Sequence, residues 1–250
     1  MKDELIIINH IGTSEIEAVA NELMVLVEEV KEATGKATIL AFSSQKAIDK
    51  LKEDHIEMDY MNDLILRELG NYTVITIMPT HLVGGSDYQR VKQFVQQVKN
   101  ELDTGRKCSS IVLKEAFLTN DENVRKLALT IHKRIPKKDR HILFVGHGTL
   151  GASKMYYQEF IKTYRELNRN SSFMTLNTPI EDILVNIPNQ VTMVPLFTTS
   201  GYHVKMDLFE GEQSIYKQLI KAGKEVTLYK ESLLAQKEVR EIYIHLLVNK

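Results

Sequence analysis

Short runs of consecutive apolar residues alternate along the chain with longer stretches in which apolar residues recur every third or fourth position. The runs at residues 5–8, 37–42, 74–78 and 109–113 predict strands in the first half of the chain. Those at 142–146, 173–176, 191–197 and 226–229 do so in the second. Most are apolar at successive positions rather than alternate ones, which predicts parallel sheets covered on both faces. Between them, Val19, Leu23, Leu26 and Val30 form a helical stripe, as do Val91, Phe94, Val95, Val98 and Leu102. Phe160, Tyr164 and Leu167 form another, Ile215, Leu219 and Ala222 a shorter one, and Val239, Ile242 and Leu246 the last. The pattern is that of an α/β protein with helix-flanked parallel sheets.

The pattern also repeats. One strand runs into Ile11-Gly12-Thr13 and a later one into His147-Gly148-Thr149. Residues 75–79, ending in Pro79, are echoed by 191–195, ending in Pro195. A glycine follows each proline at the same interval, Gly85 or Gly201, and Asp87 and His203 stand two residues further on. Two echoes in one order predict two similar α/β halves. The segment 134–140, with five charges and a proline, is the expected boundary, giving halves at 1–135 and 140–250. The alternative is a charged loop inside one continuous sheet.

Composition narrows the class. With 43% hydrophobic and 26% charged residues among 250, the chain reads as globular and soluble. Its 32 basic and 33 acidic residues cancel to a net charge of −1, so no bulk positive field is available to hold nucleic acid. One cysteine, Cys108, excludes an intramolecular disulfide and a cysteine-built zinc site. No apolar run approaches the ~20 residues of a membrane helix, and no leader pattern opens the sequence. The expectation is a cytoplasmic protein with no membrane or nucleic-acid partner. The basic residues of 134–140 and 221–224 read as solvated surface, Met155, Met193 and Met206 as core filler, and the last helix as packing or, secondarily, a homo-oligomer contact.

In an open parallel sheet, ligands bind beyond the carboxyl ends of the strands. His147 stands there between two glycines, which permit close approach of ligand to backbone. His203 follows another strand after the small polar run Thr198-Thr199-Ser200-Gly201, and His81 holds the comparable place in the first half. The bland readings are a helix-capping turn for His147 and solvated loop residues for the other two. Neutral imidazoles at one sheet edge suit Co²⁺, Fe²⁺, Ni²⁺ or Zn²⁺. No zinc-protease, phosphate-loop or nucleophile-elbow motif is present.

These residues resemble the anaerobic cobalt chelatases of cobalamin biosynthesis, class II chelatases that act on sirohydrochlorin. Four ordered segments carry the resemblance: Gly12-Thr13-Ser14; Pro79-Thr80-His81 through Ser86-Asp87-Tyr88; Gly146-His147-Gly148-Thr149; and Pro195 through Gly201-Tyr202-His203 with Asp207. The resemblance implies two similar halves, each a parallel sheet flanked by helices, with a cleft between them. It implies a chelatase, a lyase inserting Co²⁺ (or Fe²⁺ or Ni²⁺) as substrate metal into a tetrapyrrole, with no organic cofactor. His147 and His203 would be the catalytic and metal-binding pair. Thr13, Ser14, His81, Ser86, Asp87 and Thr149 would meet the macrocycle. Three of the family's acidic positions are neutral here: Leu176 stands for its metal-site glutamate, and Tyr202 and Ser86 stand for two others. Asp87 and Glu210 are the candidate replacements. The substitution at Leu176 gives the rival reading, a paralogue that binds a metal or tetrapyrrole without inserting one. A purely structural role for the histidines is the third.

Overall fold

The computed structural model describes residues 2–102, 110–136, 139–149 and 151–248. By its contacts the chain forms two compact units, one made of residues up to Phe117 together with the chain from Glu241 on, the other of Leu118–Arg240.

The first unit holds strands β1 (Lys2–His10), β2 (Ala37–Phe42), β3 (Asp59–Tyr60), β4 (Tyr72–Pro79) and β5 (Ser110–Leu113). They form one sheet in the order β3-β2-β1-β4-β5, every pair parallel. Helix α1 (Ile16–Ala18) continues through a π-helical turn, Val19–Leu23, into α2 (Met24–Thr34). Gly35 in the left-handed region ends it, donating its N–H to the Lys31 carbonyl. Helices α3 (Gln45–Glu53), α4 (Met61–Glu68) and α5 (Ser86–Leu102) make the remaining crossovers. Leu5, Ile7, Ile75 and Ile77 pack with Leu64 and Ile65 of α4 and Val91, Val95 and Val98 of α5. Ile6 and Ile8, pointing to the opposite face, are equally buried, which is why β1 reads as a continuous apolar run.

The second unit opens with α6 (Asp121–Arg134), followed by β6 (His141–Gly146), α7 (Lys154–Leu167), β7 (Ser171–Thr175), α8 (Ile180–Leu184) and β8 (Gln190–Leu196). A π-helix, His203–Glu210, then leads to α9 (Ile215–Lys221), β9 (Glu225–Leu228) and α10 (Lys237–Val248). The sheet order is β7-β6-β8-β9, again all parallel. One face is closed by Leu208, Ile215 and Leu219 over Leu143, Val145 and Met193. On the other, Phe144 meets Phe160 and Tyr164 of α7 edge to face, at 5.2 and 4.6 Å between ring centres.

The order β2-β1-β4-β5 in one sheet corresponds to β7-β6-β8-β9 in the other, so the repeat is structural. β3 is the extra edge strand and is too short to leave a hydrophobic signature. Cys108 and Ser109 lie outside the described residues.

The units do not part at the charged segment. Arg134 pairs with Glu231 and Glu238, and Arg140 with Glu225, which fastens both ends of that segment to the second unit. The Tyr229 hydroxyl and Glu231 beside Arg134 hold its guanidinium above the ordinary arginine range. These two arginines are thus structural rather than solvated. Helix α6 accordingly belongs to the second unit, where His132 meets the Tyr164 hydroxyl at 3.3 Å. The end of α10 belongs to the first: the buried Tyr243 donates to the Thr80 carbonyl at 3.1 Å and lies against Phe117.

Candidate metal and substrate site

In the second sheet the crossovers leave β6 and β8 in opposite directions, towards β7 and towards β9. The gap beyond their carboxyl ends is the place where such a sheet takes a ligand. His147 is the residue after β6, and His203 begins the π-helix that follows β8. The structure brings them together, their ring centres 4.9 Å apart and their planes 76° from parallel. Both line a cavity of about 470 Å³.

Local backbone chemistry explains the convergence. Gly146 closes β6 where a Cβ would stand 3.0 Å from the Phe173 ring. Its carbonyl accepts the Leu176 N–H at 3.1 Å, which holds the end of β7 beside the histidine turn. Gly148 has φ +92, and a Cβ there would lie 2.9 Å from that of Thr175. Only glycine suits that turn. The π-helix ends at Gly211, whose N–H reaches back five residues to the Met206 carbonyl at 3.0 Å, and a Cβ at Gly211 would strike that oxygen.

Each imidazole is engaged on Nδ1. His203 Nδ1 lies 2.6 Å from Oδ2 of Asp207, and His147 Nδ1 makes a weaker contact, 3.4 Å, with the Gly148 carbonyl. A carboxylate or carbonyl oxygen accepts, so a neutral ring making either contact would donate from Nδ1 and leave Nε2 for a ligand. Two such nitrogens binding one ion at about 2.1 Å, at roughly tetrahedral to right angles, would put the ring centres ~4.5–5.2 Å apart. The observed spacing falls in that interval.

The remaining wall is largely uncharged. Leu176 lines the cavity with Asn177, Tyr202, Met206 and Gln213, and Asp207 is the one carboxylate among the lining residues. Among the described residues no group of three histidine, cysteine or carboxylate side chains gathers as a metal cage. Glu210 is not in the wall, and its backbone carbonyl accepts from Lys217. Met206 thus faces the cavity and Met155 is exposed, whereas Met193 is core. The pairing of Asp207 with His203 was not read from the sequence, although the spacing His-x-x-x-Asp was its visible signal.

The other expected site residues are distributed between the units. Thr149 is partly exposed just after His147. Thr13, Ser14, His81, Ser86 and Asp87 belong to the first unit, at the carboxyl ends of β1 and β4 and the start of α5. Thr13 is buried, its hydroxyl accepting the Glu15 N–H where the chain enters α1. Asp87 pairs with Arg90 at 3.0 Å. His81 is not a solvated loop residue: both ring nitrogens are buried without a hydrogen-bond partner, and its ring meets Tyr88 edge to face. Burial pushes its pKa down to about 4 against an opposing pull from Asp87. His10, on the adjacent strand, contacts the Thr80 hydroxyl at 2.7 Å and is pushed down to about 3 by burial and then by the charge of His81.

Comparison with known proteins places this architecture. Its structure is similar to the sirohydrochlorin chelatase SirB of Bacillus subtilis subspecies spizizenii, solved in complex with cobalt, at 11% identity and a TM-score of 0.61 over 99% of this chain and 94% of the other. SirB from Bacillus subtilis with Fe³⁺ gives 13% identity and a TM-score of 0.65, over 99% and 95%. CbiX, described as the terminal enzyme of siroheme biosynthesis in denitrifying bacteria, gives 14% and 0.59, over 98% of each chain. At these identities the likeness concerns the fold. Among curated proteins none matches by sequence. No helix among the described residues is long and apolar enough to cross a membrane. The model of the cobalt chelatase (CbiK) family, however, matches residues 4–249, nearly the whole sequence, and the chain therefore belongs to that family.

Proposed function

We propose that the protein inserts a divalent metal, Co²⁺ first and Fe²⁺ or Ni²⁺ next, into sirohydrochlorin or a related tetrapyrrole, with His147 and His203 as its metal-binding and catalytic residues. The observation that carries this reading is the pair of imidazoles 4.9 Å apart at one cavity. Neutral imidazole nitrogens suit these borderline ions. The metal is a substrate, so a two-imidazole hold strong enough to present it and weak enough to release it is what the reaction requires.

Insertion exchanges one M²⁺ for two pyrrole protons. Each imidazole that lets the ion pass into the ring regains a lone pair, and two imidazoles match two protons. The uncharged wall around Leu176 and Tyr202 would spare a polycarboxylate ring the repulsion that acidic side chains there would impose. Thr149, beside His147, would donate a hydrogen bond to such a carboxylate.

The test is single-turnover insertion of Co²⁺ into sirohydrochlorin, followed by the absorbance of the metallated ring. His147→Ala and His203→Ala should each lose activity while keeping the circular dichroism of the parent. Full activity in either would refute the assignment. Leu176 in the cavity wall favours a second reading, binding of the ring without turnover. It predicts an absorbance shift on adding the tetrapyrrole and no further change on adding metal.

A further inference from the structure

We propose that Asp207 is a positioning residue. It fixes His203 as the Nδ1–H tautomer, so that the lone pair of Nε2 is the one offered at the cavity. The inference rests on the metal-site reading of His203 and adds to it a residue outside the metal pair.

A neutral imidazole has one N–H and one lone pair, and an isolated ring is free to exchange them. A carboxylate has no proton to give at neutral pH. With its oxygen 2.6 Å from Nδ1, that nitrogen must be the donor. The lone pair is then confined to Nε2. Both residues lie in the π-helix His203–Glu210, four positions apart, and both line the cavity. Side chains four positions apart on a helix are neighbours, and Gly211 is what allows the last hydrogen bond of this one to close. His147 has only the longer 3.4 Å contact to a backbone carbonyl, so Asp207 is the stronger of the two anchors.

A purely structural role is a poor explanation of the pair. The His203 and Asp207 side chains are 53% and 43% exposed. Ion pairs so open to water contribute little to folding stability. Asp207 as a direct metal ligand is also disfavoured, because the oxygen concerned already lies against His203 and, among the described residues, no group of three ligating side chains gathers there.

Three measurements on the whole protein decide the matter. Long-range ¹H–¹⁵N spectra of the metal-free protein at pH 8 report the tautomer of His203, assigned by its loss in His203→Ala. Calorimetric titration with Co²⁺ reports affinity, and thermal unfolding reports stability. The expected results are Nδ1–H in the parent and in Asp207→Asn, whose amide oxygen still accepts, and a shift towards Nε2–H in Asp207→Ala. Asp207→Ala should bind Co²⁺ about 10–100-fold more weakly, as expected for loss of an outer-shell partner of a ligating histidine, with little change in Tm. An Nε2–H tautomer in the parent would overturn the proposal, as would an Asp207→Ala protein that keeps both tautomer and affinity. Loss of binding in Asp207→Asn as complete as in His203→Ala would make Asp207 a ligand instead. If His203→Ala bound Co²⁺ like the parent, the metal-site reading would fail while the tautomer spectra still judged Asp207.

Discussion

Single positions in the second unit set what the site can hold. Leu176 occupies the wall where the family resemblance leads to a glutamate, and the backbone bond from its N–H to Gly146 fixes it beside the histidine turn. A carboxylate there would add a negative ligand to two neutral ones. Leu176→Glu should therefore tighten Co²⁺ binding by about tenfold or more, ~1.4 kcal/mol, measured by calorimetry. An unchanged Kd would mean that this side chain does not reach the ion. Gly148 is constrained twice, by its φ of +92 and by Thr175. Gly148→Ala should cost about 1–3 kcal/mol of stability in urea unfolding and weaken Co²⁺ binding with it. The two histidines were legible in the sequence because glycines and small residues mark strand ends there. The burial of His81 was not, since it depends on Tyr88 and on neighbouring strands that no local pattern reports.

Among the elements, strands were more legible than helices. Runs apolar on both faces leave a dense signal, and β2 begins and ends where the sequence places it. The short strand β3 and the five-residue helix α8 carry too few apolar positions for a period to register. The π-helix is a different case: its five-residue hydrogen bonds displace side chains from ordinary helical spacing, so periodicity cannot find the face that presents His203. Helix α6 has a well-marked start. Asn120 accepts N–H groups from Glu122 and Asn123 at 2.8 and 3.1 Å, an N-cap that ties down the first turn. Asn120→Ala should lower stability by about 1 kcal/mol without altering Co²⁺ affinity, and a combined denaturation and binding series would show whether the two separate in this way.

At the level of the molecule, buried histidines link folding to pH. In the folded first unit, His10 and His81 keep pKa values of about 3 and about 4, whereas an unfolded chain protonates histidine near 6.5. As pH falls below ~6.5 the unfolded state takes up protons that the native state refuses. Each histidine then withdraws about 1.4 kcal/mol per pH unit until its own folded value is approached. Urea midpoints should fall between pH 7 and 4.5, and fall less steeply in His81→Leu. Equal slopes in parent and variant would mean that His81 is not held neutral by its surroundings.

The exchange of helices between the units bears on how this chain could be cut or rebuilt. Sequence symmetry invites severing it within the charged segment, yet a piece ending there would carry α6 without the Tyr164 that His132 meets. It would also lack the Tyr243 that covers Thr80. Neither product would be a self-sufficient module. An engineer wanting the histidine-bearing unit alone should therefore start near Leu118 and stop near Arg240.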